Sequence, residues 1–159
     1  MGGRDAAWHI GNCAPSALSG ASLVRKNQSV FFFNDTATTE IYTALRVVAG
    51  FLFACHGAQK LFGVLGGQAE LSDPEGLTAG IIEFVGGSAI ALGLLASYAA
   101  FIASGEMAIA YFKAHAPRGF WPIMNFGELA ALYSFLFLFI AARGSGRYSV
   151  DALLLRHRH

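Results

Sequence analysis

The sequence predicts an all-α integral membrane protein, a four-helix bundle with short loops that follows a disordered N-terminal segment. Three observations predict this fold. The 159 residues are 55% hydrophobic and only 13% charged, which is more apolar surface than an ordinary water-soluble domain can cover. From Leu45 onward, apolar residues form runs long enough to cross a bilayer. Turn-forming and charged residues separate these runs into four spans.

Residues 1–43 contain none of the long apolar runs and show no helical or strand periodicity, so we expect them to be disordered. Within them, the stretch from Val30 to Thr43 is similar to the peptide obtained when read-through of a common sequencing adapter is translated. We interpret residues 1–43 as a non-native segment joined to a truncated membrane protein. The alternative is a genuine flexible tail.

The first two spans are separated by an acidic loop. The first span runs from Leu45 to Leu65, and the loop at 70–75 contains three acidic residues and the turn signal Asp73-Pro74. The chain is then apolar from Leu77 to Phe112. As one helix this stretch would be about 54 Å long, whereas a hydrocarbon core is about 30 Å thick. The chain must therefore reverse, and we expect the reversal at residues 96–98.

This reversal divides the stretch into a second span, from Leu77 to Ala96, and a third, from Tyr98 to Lys113. A loop at 115–125 follows, with aromatic residues suited to the lipid headgroup level. The fourth span runs from Gly127 to Ala142. The membrane domain then covers residues 44–153, and residues 154–159 form a basic tail.

Cations near the ends of the spans predict the orientation. Arg46 lies at the start of the first span, and four arginines follow the fourth: Arg143, Arg147, Arg156 and Arg158. Lys113 and Arg118, in and beside the loop between the third and fourth spans, argue for the opposite orientation but are fewer. Because positively charged flanks remain on the cytoplasmic side, both termini are expected in the cytoplasm. Small residues spaced four apart, such as Gly87 and Ala91, also predict close approach of helix backbones.

Ionisable residues occur in every span, and they are the candidate functional residues: His56, Lys60, Glu83, Glu106 and Glu128. Each costs about 2 to 3 kcal/mol at bilayer depth, so they are expected to face one another inside the bundle. Three carboxylates against one lysine and one histidine leave at least one acid without a partner. Such a carboxyl can exchange protons with a redox ligand. The alternative is an ion-pair network that only holds the helices together, with Lys60 paired to Glu83 or to Glu128.

Other kinds of site are not supported. The Glu-x-x-His signature of di-iron bundles is missing, because Gly86, Ile109 and Ala131 stand three residues after the glutamates. No metal site is therefore predicted. The net charge of +1 with scattered cations excludes a nucleic-acid interface. No nucleotide-binding motif occurs. Cys13 and Cys55 lie in regions of different character and predict no disulfide framework.

Five short motifs together resemble the DoxX family over residues 44–153. They are His56–Gly63, Glu83–Gly87, Glu106 with Tyr111-Phe112, Asn125–Glu128 and Gly144–Asp151. The resemblance implies a four-helix bacterial inner-membrane protein of a kind described as oxidoreductase-associated or quinone-linked. Family members often carry a basic residue in the turn between the second and third spans, where this chain has Ser97-Tyr98.

The leading hypothesis is therefore a quinone-linked, redox-associated accessory subunit, an oxidoreductase subunit if it is catalytic. It assigns catalysis to His56, Glu106 and Glu128, and cofactor contacts to Lys60, Glu83, Gln59 and Asn125. The cofactor is unidentified, with quinone as the candidate, and the partners are the lipid bilayer and a membrane or redox protein. One alternative is a non-catalytic membrane scaffold or partner subunit. Another is a small-solute or proton transporter, which is disfavoured because the inner half of the spans has few polar residues besides Ser104 and Tyr133.

Overall fold

The computed structural model describes residues 18–69 and 71–156, with side chains described from Thr36 onward. The chain divides into two compact units, residues 1–37 and residues 38–159. All side-chain contacts reported below lie within the second unit. The described residues form helices and loops and contain no strand. The prediction of an all-α fold is thereby confirmed.

Helix α1 (Leu18–Phe62) begins well before the predicted first span. Residues 1–17 lie outside the described residues, but the disorder expected up to residue 43 differs from the helix observed after Leu18. Around Tyr42, contacts with distant parts of the chain stabilise the helix. Tyr42 is 4% exposed, its hydroxyl donates to the carbonyl oxygen of Gly144, and its ring meets that of Phe139 edge-on. These partners are about a hundred residues away in sequence, so local composition gives no sign of them.

The second helical segment consists of α2 (Pro74–Ile81), a π-helical turn (Ile82–Gly86) and α3 (Gly87–Leu92). Asp73 starts it, because its side chain accepts hydrogen bonds from the first backbone N–H groups and Pro74 suits the first helical position.

The segment ends at Gly93, which adopts the left-handed conformation with φ of 72°. The chain reverses over Gly93–Leu95, slightly earlier than the expected turn at residues 96–98.

Helix α4 (Ala96–Ala110) continues into a second π-helical turn, Tyr111–His115. The remaining elements are a 3-10 turn (Ala116–Arg118), α5 (Pro122–Asn125), α6 (Glu128–Arg143) and α7 (Val150–Arg156). Helices α4 and α6 lie side by side, and the Ser104 hydroxyl on α4 donates to the carbonyl oxygen of Ser134 on α6 over 2.7 Å.

Two helical segments of the described chain are long and apolar enough to cross a membrane, Thr36–Phe62 and Pro74–Leu92. Their most apolar stretches are only 33% and 28% buried within the protein. A core helix of a water-soluble protein would bury most of such a stretch. Most of the apolar surface of both segments therefore faces outward, as expected for contact with lipid.

Close contact between α1 and the second segment depends on glycine. A Cβ atom on Gly50 would lie 2.7 Å from the carbonyl oxygen of Gly87, and a Cβ on Gly87 would lie 2.6 Å from that of Gly50. The two backbones touch because neither residue has a side chain, the packing that the Gly87 and Ala91 spacing predicted. On another face of α1, Phe53 packs against Phe137 of α6 with ring centroids 4.6 Å apart.

The end of the protein that carries Tyr42 is closed by a second set of polar contacts. Arg46 is 1% exposed and donates to the carbonyl oxygens of Ile90, Ala91 and Tyr148. The Asp151 carboxylate accepts from the backbone N–H of Leu95 over 2.9 Å, which caps the start of α4. The motif Gly144–Asp151 thus joins the C-terminal region to the first three helical segments.

Candidate functional site

The centre of the candidate site is an ion pair between two helices. Lys60, in the last turn of α1, lies 2.8 Å from the Oε1 atom of Glu83 in the π-helical turn. The Glu83 side chain is 4% exposed and that of Lys60 30%. Of the two partners that the sequence allowed for Lys60, the structure therefore selects Glu83.

Glycine residues make this ion pair possible. A Cβ atom on Gly57 would lie 2.2 Å from the backbone nitrogen of Phe84, and one on Gly80 would lie 3.2 Å from the Cβ of Lys60. The helices approach so closely here that the Lys60 ammonium group reaches the Glu83 carboxylate. The motifs at 56–63 and 83–87 are thus two sides of one contact.

Glu83 also lies in a rare backbone conformation. The π-helical turn Ile82–Gly86 interrupts an otherwise α-helical segment. Single π-helical turns inside α-helices are found frequently at functional sites. The periodicity of the sequence contains no signal for this turn.

Glu106 on α4 completes the group. Its side chain is partly buried, and its Oε2 atom is buried with no hydrogen-bond partner among the described residues. It lies within electrostatic range of both Glu83 and Lys60. Lys60, Glu83 and Glu106 therefore form one group drawn from three helical segments, here called the polar cluster.

His56 and Glu128 have different relations to the polar cluster. His56 is partly buried, one helical turn before Lys60 on the same face of α1. It makes no hydrogen bond or ion pair with another described residue. Glu128 is exposed, which corrects the expectation that it faces inward. The buried face of α6 carries Ala130 and Tyr133, and Glu128, two positions before Ala130, lies on the opposite side.

Gln59 and Asn125 use their polar atoms within the protein. The Gln59 amide donates to the carbonyl oxygen of Leu65 over 3.0 Å, which holds the loop after α1. Asn125 is fully buried. It donates to the carbonyl oxygen of Gly119 over 2.6 Å and accepts from the backbone N–H of Gly127 over 2.8 Å. Both side chains therefore hold loops.

A second ion pair, which sequence reasoning missed, lies on the surface between Lys113 and Glu75. Both side chains are mostly exposed, at 62% and 71%. It joins the end of the π-helical turn after α4 to the start of α2. Opposite charges at the ends of two predicted spans were the available signal, but their pairing depends on how the spans are arranged.

The polar cluster has the chemistry of a ligand or proton site. A carboxyl oxygen without a hydrogen-bond partner in an apolar interior is costly, and a polar ligand atom or a bound proton would relieve that cost. Among the described residues, no three His, Cys, Asp or Glu side chains are grouped to hold a metal ion.

The apolar helices and the ionisable side chains within them define a membrane-type helical protein. The chain belongs to the DoxX family. The profile of that family, DoxX, matches residues 41–116, which includes Tyr42 and the whole polar cluster. An uncharacterized protein of Haemophilus influenzae is 46% identical over 114 residues, which cover 67% of this chain and 85% of the relative. No solved structure matches the chain.

Proposed function

We propose that the protein crosses a bacterial inner membrane four times, with both termini in the cytoplasm. The four spans are Thr36–Phe62, Pro74–Leu92, α4 with its π-helical turn, and α6. The 15 residues of α4 and 5 of the π-helical turn make about 30 Å of helix, enough for a hydrocarbon core. Helix α6 has 16 residues, about 24 Å, and suits a locally thinner bilayer.

The contacts at the two ends support an antiparallel arrangement of these spans. Arg46 in the first half of the first span reaches Tyr148 after the last, and Asp151 reaches Leu95 between the second and third. At the opposite end, Lys60 meets Glu83. Arginines therefore concentrate at the end assigned to the cytoplasm, in agreement with the positive-inside rule.

Within this arrangement, the proposed function is that of a redox accessory subunit that binds the head group of a quinone. The observation that carries this proposal is the buried Glu106 Oε2 atom, which lacks a hydrogen-bond partner among the described residues, beside the Lys60–Glu83 pair. Quinone reduction consumes protons, and a carboxyl group can supply them while a partner oxidoreductase supplies the electrons. Lys60 would donate a hydrogen bond to a quinone carbonyl oxygen. His56, one turn away on α1, would take up and release protons.

Binding of a quinone analogue by the purified full chain tests the proposal. In mild detergent, we expect decylubiquinone to bind in isothermal titration calorimetry. Glu106→Leu, which removes the proton and hydrogen-bond donor, should weaken binding by up to about 10-fold, because a hydrogen bond between neutral partners is worth about 0.5 to 1.5 kcal/mol. Glu75→Leu makes the same change at an exposed site and should bind normally. Unchanged affinity in Glu106→Leu would contradict the proposal.

A non-catalytic membrane scaffold is the second candidate, and one observation favours it. Lys60 and Glu83 satisfy each other across two helices at 2.8 Å, as a purely structural ion pair would. A scaffold predicts that cluster variants lose thermal stability, and that neither decylubiquinone nor a co-purified small molecule is found by mass spectrometry after mild extraction.

A further inference from the structure

The loop between α4 and α6 displays an unusual set of apolar side chains. Five large ones, each at least 65% exposed, lie within seven residues: Phe120, Trp121, Ile123, Met124 and Phe126. These residues, with Arg118 before them, are here called the aromatic loop. In water such a display would be unfavourable, because apolar side chains gain free energy by leaving solvent.

The aromatic loop is built to keep these side chains outward. Its interior is polar, with the fully buried Asn125 bonded to Gly119 and Gly127. The Tyr111 hydroxyl donates to the carbonyl oxygen of Phe120, and a ring nitrogen of His115 lies 3.1 Å from the Asn125 carbonyl oxygen. The hydrogen bonds that fix the loop therefore lie beneath it, and the apolar groups lie on its outer surface.

One residue of the loop also adopts a strained conformation. Phe126 has φ of 58°, a left-handed conformation that costs a residue other than glycine about 1 to 2 kcal/mol. Phe126 is also the most exposed of the five, at 81%. A partner for the exposed rings would offset this cost.

The position of the loop indicates what covers it. It connects His115, at the end of the proposed third span, to Glu128, at the start of the fourth. Its apolar surface continues the outward faces of those spans, where Phe112 and Leu129 are 66% and 50% exposed. Arg118 is exposed and suits the level of lipid phosphates. Aromatic side chains bordered by cations are typical of the boundary between headgroups and acyl chains.

We propose that the aromatic loop docks into the headgroup–acyl boundary of the bilayer, with Trp121 and Phe126 inserted and Arg118 facing the phosphates. Interfacial segments of this kind bury their apolar side chains about 5 to 10 Å into the boundary. The inference rests on the proposed membrane crossing, and it adds a lipid-binding surface outside the polar cluster.

Tryptophan fluorescence in vesicles tests this inference. The chain has two tryptophans, so the full-length Trp8→Phe variant leaves Trp121 as the only reporter. In phosphatidylcholine vesicles, bromine atoms placed near the headgroup should quench Trp121 more strongly than bromine atoms at the chain ends, and aqueous iodide should quench it weakly. Trp121→Phe, which retains Trp8, measures the contribution of the N-terminal segment in the parent chain.

Alkaline carbonate extraction separates failure of the inference from failure of the proposed topology. Protein that resists extraction but shows strong iodide quenching and no bromolipid quenching would overturn the inference alone, because the loop would then face water. Stronger quenching from the chain ends would also overturn it. Protection from iodide without bromolipid quenching would also overturn the inference, because it would indicate that a protein partner and not lipid covers the loop. Protein released by carbonate would refute both the membrane crossing and the lipid contact.

Discussion

Lys60 and Glu83 show how a single ion pair can hold two apolar helices together. Glu83 is almost completely shielded, whereas Lys60 retains about a third of its exposure. Removing one partner of a shielded pair leaves the other charge uncompensated, which costs much more than the net stability of the intact pair. The surface pair of Lys113 and Glu75 offers a matched comparison, because it has the same chemistry and high exposure.

We expect Glu83→Gln to lower the free energy of unfolding by on the order of 3 kcal/mol, because the Lys60 ammonium group loses its partner. Glu75→Gln should cost less than about 1 kcal/mol, because water and salt screen an exposed pair. Thermal unfolding of both variants in the same detergent measures the difference. Equal losses would mean that shielding of the Lys60–Glu83 pair has no energetic consequence.

Arg46 is the second residue whose environment predicts a large effect. Arg46→Met should destabilise the protein by on the order of 3 kcal/mol, because three carbonyl oxygens lose their donor in a buried setting. Arg143→Met removes a nearby cation that lies 4.9 Å from the Tyr42 ring centroid, and should cost about 0.5 to 1 kcal/mol. Chemical denaturation in mixed micelles distinguishes the two, and a small loss for Arg46→Met would contradict the assigned hydrogen bonds.

At the level of the helices, adjacent glycines have opposite roles. Gly87 touches the backbone of α1, whereas a Cβ on Gly86 would meet no heavy atom within 4 Å. A methyl group at position 87 must therefore separate two helices, and one at position 86 enters open space. The sequence Gly86-Gly87 does not reveal this difference, because both glycines belong to the same family motif.

Gly87→Ala is accordingly expected to cost about 1 to 3 kcal/mol through overpacking. Gly86→Ala should leave stability unchanged or raise it by up to about 1 kcal/mol, because alanine has less backbone freedom to lose. Unfolding midpoints of the two single variants provide the measurement. A tolerated Gly87→Ala would show that α1 and α3 are farther apart than described.

At the level of the whole molecule, the proposed topology predicts which surfaces a membrane-impermeant reagent can reach. In a chain with Cys13→Ser and Cys55→Ser, the exposed loop position Ser72→Cys should react with an impermeant maleimide in intact spheroplasts. Tyr148→Cys, which is exposed near the other end, should react only after permeabilisation. The reverse labelling pattern would show that the orientation is opposite to the one proposed. Labelling of both positions in intact spheroplasts would argue against an odd number of membrane crossings between residues 72 and 148.

Much of the fold could be predicted because its signals are local. Apolar runs, Asp73-Pro74 and the basic residues after Phe139 are properties of short windows. They predicted the helical class and the approximate helix limits. The start of the ordered region and the reversal point were predicted less well, because Tyr42 is stabilised by Gly144 and Phe139 and the turn is set by left-handed residues at 93 and 95.

By itself, the sequence determined that this is a helical DoxX-family protein with ionisable side chains in apolar segments. Hydropathy and the order of the motifs are properties of the linear sequence and do not depend on packing. Only the tertiary structure decided which of those side chains meet. It paired Lys60 with Glu83, placed Glu106 within electrostatic range of both, left Glu128 exposed, and used Gln59 and Asn125 to hold loops. The physical reason is that successive side chains point in directions about 100° apart around a helix. Which of them point into the protein therefore depends on how the neighbouring helices pack. In this protein, contacts at glycine residues set that packing.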